Sequence, residues 1–540
     1  MKELILIVLV LAFAFIIRIP FLNVPLEIDG GIFVSCGRLI SEGYTLYKDI
    51  FDHKPPGIYF LFAFLFRLFK LDLFGINLFL SFWSVLNTFL TYLLARCLFN
   101  KRIAILSALI YGLFSSSPLI GGIGPLTENF MITFIILGYL FLIKAFKRKE
   151  LWFFVSGISF GIAFLFKQVA LFELSAALGF LFIITFNKDR KFSIFLWCKK
   201  VQNTFLTTEN RRRSSPITPM ADPAKGGKAI FLKNFFFCLL GFFVPLLLIS
   251  GYFFLKDALK DFIFFAFTYP FSYIAQGGKA AVPYQFVHFI SKMIRAMPLL
   301  WMCSIAFIIY TVIMLINKKS INISAQKTIF PFLLVLLWSI FTFMGICLGM
   351  RFYPHYFITL LPPFSIMSGF ILATLIFPEN YYRKNLPVRL IIIVSLLSSL
   401  FYSVCQHYKY YFVYTPEEIS IHLYPYNAYV EARQVGLYLR KNTTAQDKIF
   451  NWSVEPEIFF YAQRRPVSRY LWITPYLDYS WAIPNCVNEV MEALVRDIPV
   501  YIVSDTRFQS QLKSMRNTHE QINDFFQKHK YKLEKTFPVI

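Results

Sequence analysis

The first apolar run of the chain, residues 4–22, reads LILIVLVLAFAFIIRIPFL and follows Lys2. About 20 apolar residues are needed for one helical crossing of a bilayer, and this run has that length. No small-residue cleavage site follows it and many further apolar runs do, so it predicts a transmembrane helix rather than a secretory signal peptide. This start predicts a polytopic α-helical membrane protein.

Composition supports the same class. The 540 residues are 57% hydrophobic and only 16% charged, whereas soluble domains carry about 25% charged residues. This excludes an ordinary soluble enzyme and a disordered chain. The eight cysteines form no C-x-x-C pair or Cys/His cluster, so a zinc site is not expected.

Ten more runs have spanning length, which gives about eleven spans. They are residues 74–99, 103–121, 127–146, 151–169, 170–187, 234–255, 297–316, 328–349, 356–377 and 388–405. Two other segments are too short or too broken to cross: 57–71, which contains Arg67 and Lys70, and 256–292, which contains Pro270 and Pro283. The first is interpreted as an amphipathic helix on the outer membrane surface, and the second as an outer loop that contains a surface helix.

The net charge of +24 is concentrated in the first 405 residues, which carry +22, while residues 406–540 carry +2. The excess lies in short loops between apolar runs, as the positive-inside rule describes, and not on a nucleic-acid-binding face. The sequence therefore predicts a multi-pass protein of the plasma (inner) membrane with its N-terminus in the cytoplasm and, after an odd number of spans, its C-terminus outside. The basic residues of these loops include Lys101, Arg102, Lys144, Lys147, Arg148, Lys149, Lys318, Lys319, Lys327, Arg383, Lys384 and Arg389.

Two domains are predicted. Residues 1–405 form a transmembrane module with an outer loop, 23–73, and a basic cytoplasmic loop, 188–233, whose polar composition indicates disorder. Residues 406–540 form an extracytoplasmic α/β domain, because helix-like and strand-like segments alternate there. The helix-like segments are 428–441, 455–462, 485–497 and 517–529, and the strand-like ones are 447–452, 468–473 and 499–504.

Ionisable residues cluster in three segments that this topology places outside. The first loop carries Glu27, Asp29, Asp49, Asp52, His53 and Lys54; the second carries Glu128; and the third carries Arg351, Tyr353, His355 and Tyr356. A carboxylate can take a proton from an acceptor hydroxyl. Lys and Arg can bind a phosphate and stabilise the charge that it gains on leaving. The pattern is compatible with chemistry on a lipid carrier that has a charged head group.

Three features resemble a known superfamily: Asp29 after the first span, Asp52-His53-Lys54-Pro55-Pro56 before an aromatic helix, and R-x-x-P-H-Y at 351–356. They resemble the GT-C glycosyltransferases, in particular bacterial members of the protein O-mannosyltransferase and aminoarabinose lipid A transferase superfamily. The resemblance covers nearly the whole chain. It implies inverting transfer of a sugar from a polyprenyl-phosphate carrier to an acceptor on the outer face.

The resemblance also implies roles for residues. Asp29 matches the presumed catalytic base, and Lys54, with Arg351, is expected to bind the donor phosphate. Supporting roles are expected for Asp52, His53, Glu128 and His355. Many members have Asp-Glu where this chain has Asp29-Gly30, so the role of a second carboxylate is vacant or falls to Glu27, Asp52 or Glu128.

Each assignment has a structural alternative. Asp29 and Glu128 are also suited to capping helices, Lys54 to snorkelling towards lipid head groups, and Asp52 to pairing with Lys54. A histidine such as His53 is more often a hydrogen-bonding neighbour than an acid or a ligand. Arg351 and His355 would also serve as interface anchors. Lys167 and Glu173 flank a tight turn and are expected to pair with each other, or else to approach the carrier.

Other functions remain open: a transporter or flippase of lipid-linked sugars, an O-antigen-polymerase-like enzyme, or an assembly protein whose α/β domain binds partners. Transporters often carry charges within their spans and internal repeats, and neither is evident here. The expected partners are the membrane, a polyprenyl-phosphate-linked sugar and a protein, lipid or glycan acceptor; nucleic acid is not expected. No metal ligand is assigned, and a divalent metal ion is left open as a cofactor.

Overall fold

A computed structural model of the protein describes residues 2–146, 150–186, 223–270, 282–316, 329–377, 386–473, 483, 485–505, 507 and 516–539. Helices dominate it. In chain order they are α1 (Lys2–Ile16), α2 (Ile28–Ser41), α3 (Gly57–Leu68), α4 (Leu73–Leu98), α5 (Lys101–Ser115), α6 (Thr127–Ala145), α7 (Leu151–Phe166), α8 (Ala170–Phe186), α9 (Pro223–Leu255), α10 (Leu259–Ile263), α11 (Val282–Ala296), α12 (Pro298–Ile316), α13 (Ile329–Leu348), α14 (Leu361–Ile376), α15 (Leu386–Phe412), α16 (Pro416–Leu423), α17 (Tyr429–Asn442), α18 (Ile458–Ala462), α19 (Cys486–Arg496) and α20 (Arg516–Lys528).

The predicted class, a helical membrane protein with a small sheet in its C-terminal region, is confirmed. Among the described residues, eight helices are long and apolar enough to cross a membrane, and they coincide with eight of the predicted spans. The other three predicted spans are the shorter helices α5, α7 and α8, of 15, 16 and 17 residues. The count of about eleven crossings therefore stays a prediction.

One compact unit comprises Met1–Ile19, Phe79–Ile249 and Gly277–Val413. Its helices pack in pairs, α6 against α7, α5 against α14 and α8 against α13. Glycine allows the backbones of α7 and α9 to approach closely: a Cβ at Gly157 would lie 1.9 Å from the carbonyl oxygen of Cys238. Gly161 makes a similar contact with the carbonyl oxygen of Phe242. The pair forms a G-x-x-x-G motif, which brings helices together where no hydrophobic force drives them.

The second compact unit comprises Pro20–Leu78, Ser250–Gln276 and Tyr414–Ile540. It contains a three-stranded parallel sheet of β1 (Lys448–Trp452), β2 (Arg465–Pro466) and β3 (Tyr501–Ser504) in the order β2-β1-β3. Ile449 of β1 pairs with Pro466 on one side and Tyr501 on the other. The loop that contains Asp29 therefore folds together with the C-terminal sheet.

Most of the predicted elements of the C-terminal region are found within two or three residues of their expected bounds. The strand predicted at 468–473 is wrong. The middle strand of this region, β2, lies a few residues before the predicted segment, at Arg465–Pro466. Residues 468–473 are irregular. Backbone groups of that segment bond elsewhere, for example Ile473 N–H to the carbonyl oxygen of Ser453.

The short apolar segment after Lys54 forms α3, a helix of 12 residues, as its length predicts. Tyr59 and Phe62 are fully buried, whereas Phe64 and Leu68 are more than half exposed. Residues 188–222 of the predicted disordered loop 188–233, and residues 271–281 of the predicted surface segment 256–292, lie outside the described residues. Disorder is wrong for residues 223–233 of that loop, which form the start of α9.

Candidate active site

The N-terminus of α2 separates the roles of two neighbouring carboxylates. Glu27 is the N-cap: its oxygens accept the backbone N–H groups of Asp29 at 2.8 Å and Gly30 at 2.6 Å. Asp29 lies in the first turn and is half-buried. Among the described residues its carboxylate makes no hydrogen bond or ion pair. The capping alternative for Asp29 is therefore wrong, because Glu27 fills that role.

Charges of both signs surround this helix end. Burial and the negative charge of Asp29 raise the pKa of Glu27 to about 8, and the positive charge of Lys54 opposes that rise. Lys54 is half-buried. The structure thus brings both Asp29 and Lys54 within electrostatic range of Glu27. A half-buried carboxylate can accept a proton, and a lysine in the same polar cluster can bind a phosphate.

Asp52 and His53 hold the segment before Pro55 in place. The Asp52 carboxylate is almost completely buried and accepts hydrogen bonds from the Tyr59 hydroxyl and from the backbone N–H of His53, the latter at 2.7 Å. His53 Nδ1 lies 3.0 Å from the same carboxylate. Burial raises the pKa of Asp52, but the bonds from His53 and Tyr59 outweigh it and the pKa falls below its ordinary value. Asp52 is therefore a charged anchor of the loop.

The backbone of Lys54 is also held. The Tyr47 hydroxyl donates to its carbonyl oxygen at 2.6 Å, and Tyr47 is itself fully buried against the rings of Phe253 and Phe262. Held in this way, the Lys54 side chain starts from a fixed point near Glu27 and Asp52. The pairing of Asp52 with Lys54 is electrostatic only, because the partners that bond to Asp52 are His53 and Tyr59.

Sequence reasoning missed a further carboxyl group, Glu457. It is fully buried, and neither of its oxygens makes a hydrogen bond with any described residue. It packs on Gly31 of α2, where a Cβ would lie 2.6 Å from its own Cβ. Burial, with the charges of Glu455 and Glu27, raises the pKa of Glu457 well above its ordinary value. The available signal was its place after β1, since ligands bind beyond the carboxyl ends of parallel strands.

The other compact unit holds a second polar cluster around Glu128, in the first turn of α6. Glu128 is almost completely buried, forms an ion pair with Lys167 and lies 4.0 Å from His355 Nε2. The Lys167 ammonium also lies 3.8 Å from the centre of the Tyr356 ring. The expected pairing of Lys167 with Glu173 is wrong. Glu173 instead accepts a hydrogen bond from the Thr342 hydroxyl at 2.7 Å.

The backbone around Arg351 is strained. Met350 has φ of 50° and Phe352 has φ of 52°, so both residues flanking Arg351 adopt the left-handed conformation that side chains disfavour. Such outliers cluster at ligand clamps and active sites. Phe352 is buried against Phe286 at 5.1 Å between ring centres. Arg351 itself is half-buried in the loop that leads to His355.

Across the described ranges, no group of three or more His, Cys, Asp or Glu side chains is arranged to hold a metal ion. Each compact unit contains one polar cluster of candidate residues. One contains Glu27, Asp29, Asp52, His53, Lys54 and Glu457. The other contains Glu128, Lys167, His355 and Tyr356.

A family model described as dolichyl-phosphate-mannose-protein mannosyltransferase matches residues 53–198. No curated protein sequence matches the chain. Among solved structures, the archaeal oligosaccharyltransferase AglB from Archaeoglobus fulgidus, in complex with an inhibitory peptide and a dolichol-phosphate, is similar at a TM-score of 0.50 and 15% identity. The alignment covers 86% of this chain and 64% of AglB.

The resemblance to the GT-C superfamily is thus confirmed. The chain spans less than two thirds of the length of AglB, and the identity is low, so this likeness shows a shared fold. ArnT from Cupriavidus metallidurans is also similar in its apo state, with a TM-score of 0.48, 13% identity and coverage of 94% of this chain and 90% of ArnT.

Proposed function

We propose that this chain is an integral-membrane glycosyltransferase that moves a sugar, with inversion, from a polyprenyl-phosphate carrier to an acceptor at the outer face of the membrane. The observation that carries the proposal is that two neighbouring acids at the start of α2 have different roles. Glu27 satisfies the helix end and interacts electrostatically with Lys54, while the carboxylate of Asp29, in the first turn of the same helix, stays available and half-buried. A helix cap alone would need only one of these acids.

In the proposed step, an acceptor hydroxyl attacks the anomeric carbon of the carrier-linked sugar. The new bond joins the acceptor oxygen to that carbon, and the bond from the carbon to the phosphate oxygen breaks. The hydroxyl proton passes to the carboxylate of Asp29. The electron pair of the broken bond leaves with the polyprenyl phosphate, whose added charge Lys54 and Arg351 stabilise.

The supporting residues act through position. Asp52 and His53, tied to Tyr59 and to their own backbone, keep the segment that carries Lys54 in one conformation. Glu128 and His355, with Lys167, form a second charged group that would face the carrier or the acceptor. Such pre-set geometry matters because small displacements of reacting groups cost rate.

The proposal includes the cellular setting. The protein would lie in the plasma (inner) membrane with its N-terminus in the cytoplasm, and its C-terminal domain and active site would lie outside. AglB was solved with a dolichol-phosphate, and a second ArnT structure contains undecaprenyl phosphate. A carrier of the same polyprenyl-phosphate class is the proposed donor here. The acceptor is a protein, a lipid or a glycan.

The test is to reconstitute the purified protein in liposomes with a panel of polyprenyl-phosphate hexoses and pentoses and a membrane extract as the source of acceptor. Mass spectrometry would follow both the sugar-bearing product and the released polyprenyl phosphate. Transfer predicts that the two products appear together. Movement of intact donor across the bilayer, without its cleavage, would show a flippase and would refute the proposal.

A further inference from the structure

A cavity of about 590 Å³ lies within the second compact unit, away from Asp29. Its walls are the loop that follows α2, from Glu42 to Asp49, the segment from β2 to Tyr470, and α19. Small-molecule sites typically have volumes of about 300–1,000 Å³, so the cavity has the size of a ligand site. The α2 helix, at 1.5 Å per residue, separates the cavity from Asp29 by about 20 Å.

The charges that line the cavity cancel. Five basic and five acidic side chains contribute to it, and several of them already neutralise each other. Lys448 pairs with Asp497 at 3.0 Å, and Arg496 pairs with the same carboxylate at 3.2 Å. An anionic or a cationic ligand would have to compete with these existing partners, so the cavity favours a neutral ligand.

The polar groups at the centre of the wall are pre-oriented. Arg469 Nη2 donates to Glu489 at 2.9 Å and to the Tyr470 hydroxyl at 3.1 Å, and that hydroxyl donates to Glu489 at 2.9 Å. The Glu489 side chain is nevertheless 38% exposed. It can therefore accept further hydrogen bonds from a ligand without any rearrangement, which lowers the entropic cost of binding.

We infer that this cavity is a binding pocket for a neutral oligosaccharide. Sugar hydroxyls both donate and accept hydrogen bonds, which suits a wall of fixed carboxylates and guanidinium groups. The half-buried ring of Tyr44 offers an apolar face for the carbon-bound hydrogens of a sugar ring. That the bound oligosaccharide is part of the acceptor rests on the proposed function; the binding itself does not.

The experiment is calorimetric titration of the full-length protein in detergent, without donor. The probes are mannotriose and N-acetylchitotriose as neutral ligands, trigalacturonate as an anion and the chitosan trimer as a cation. We expect the neutral probes to bind and the charged ones to bind more weakly. No binding of any neutral probe, or tighter binding of a charged one, would overturn the inference.

Variants locate the binding. Glu489→Gln removes the charged acceptor and should weaken binding of the neutral probes by about tenfold or more. Glu492→Ala, at an exposed position of the same wall, tests the cavity independently if Glu489→Gln fails to fold. Asp524→Asn, on the exposed face of α20, is the control and should bind as the wild type does. Equal weakening in all three would overturn the assignment.

Asp29→Asn separates this inference from the proposed function. It should bind the neutral trisaccharides with unchanged affinity, because the cavity lies about a helix length away. Unchanged binding alongside normal sugar transfer would reject the role of Asp29 and leave the pocket standing. Loss of trisaccharide binding in Asp29→Asn would contradict a separate pocket.

Discussion

At the residue scale, the decisive feature is that neighbouring acids do different work. Glu27 accepts hydrogen bonds from the backbone at the start of α2, and Asp52 accepts them from Tyr59 and His53. The carboxylate of Asp29 makes no hydrogen bond among the described residues. A carboxylate without such partners can accept a proton from a substrate without breaking an existing hydrogen bond. Glu457 also lacks hydrogen-bond partners among the described residues, but it is fully buried, so the partly exposed Asp29 is the better candidate for the base.

Lys54→Ala is expected to weaken binding of the lipid-phosphate donor. Loss of a charge-assisted hydrogen bond to phosphate costs about 1.5–3 kcal/mol, which is about one to two orders of magnitude in dissociation constant. Lys70→Ala, at an exposed lysine beyond α3, is the matched control and should bind the donor normally. The measurement is donor affinity in detergent. Equal affinity in both variants would leave Lys54 as an anchor at the membrane surface.

Thermal stability should depend on pH through Glu27 and Glu457. Burial raises the pKa of each above its ordinary value. Between the ordinary pKa and the raised one, the folded protein therefore binds more protons than the unfolded chain does. The contribution of these two groups to the free energy of unfolding is fully present below the ordinary carboxyl pKa. It is lost as the pH rises towards the pKa values of the folded protein. We expect the melting temperature to decrease between about pH 5 and about pH 8.

Glu457→Gln isolates one part of this dependence, because it keeps the size of the side chain and removes its titration. The variant should have a shallower slope and a higher melting temperature than the wild type at about pH 8. Asp524→Asn should leave the slope unchanged. If Glu457→Gln and the wild type gave parallel curves, Glu457 would be charged, or bound to a partner, in the folded protein.

At the element scale, the close crossing of α7 and α9 depends on glycine. Gly157→Ala places a Cβ at 1.9 Å from a carbonyl oxygen and should lower the free energy of unfolding by about 1–3 kcal/mol. The control is Gly179→Ala in α8, where a Cβ would meet no atom within 4 Å. Thermal unfolding in detergent measures both. A Gly157→Ala protein as stable as the control would contradict this packing.

The sequence predicted helices well where the apolar run was long. Eight spans, α3 and the alternating elements of the C-terminal region follow from hydropathy and from turn residues, both of which are local signals. The strand predicted at 468–473 is wrong because apolar and aromatic residues are equally compatible with a buried irregular segment. Strand propensity does not distinguish the two conformations, because tertiary hydrogen bonds such as that from Ile473 N–H to the carbonyl oxygen of Ser453 determine which one forms.

The site was predictable only in part, for the same reason. Asp29, Asp52 and Lys54 are close in sequence, so a motif was enough to group them. Glu457 lies more than four hundred residues from Gly31, the residue it packs on, and no local pattern marks that contact. The partner of Lys167 was also missed, because Glu173 is nearer in sequence while Glu128 is nearer in space.

At the scale of the whole molecule, the two ends of the chain are predicted to lie on opposite sides of the membrane. A reporter enzyme that is active only outside the cytoplasm, fused after Ile540, should be active. The same reporter inserted in loop 188–233 should be inactive, because that loop is basic and expected to stay inside. An inactive fusion at Ile540 would move the C-terminal domain to the cytoplasm and refute the proposed arrangement.

In the proposed reaction, the protein transfers a carrier-linked sugar and Asp29 acts as the base. The most direct measurement is single turnover of bound donor by wild-type and Asp29→Asn protein, with donor affinity determined on the same preparations. A positioned carboxylate contributes about 10²–10⁴-fold to such a step. We predict equal donor affinity and turnover at least about 100-fold slower in the variant. Near-normal turnover by Asp29→Asn would contradict the claim.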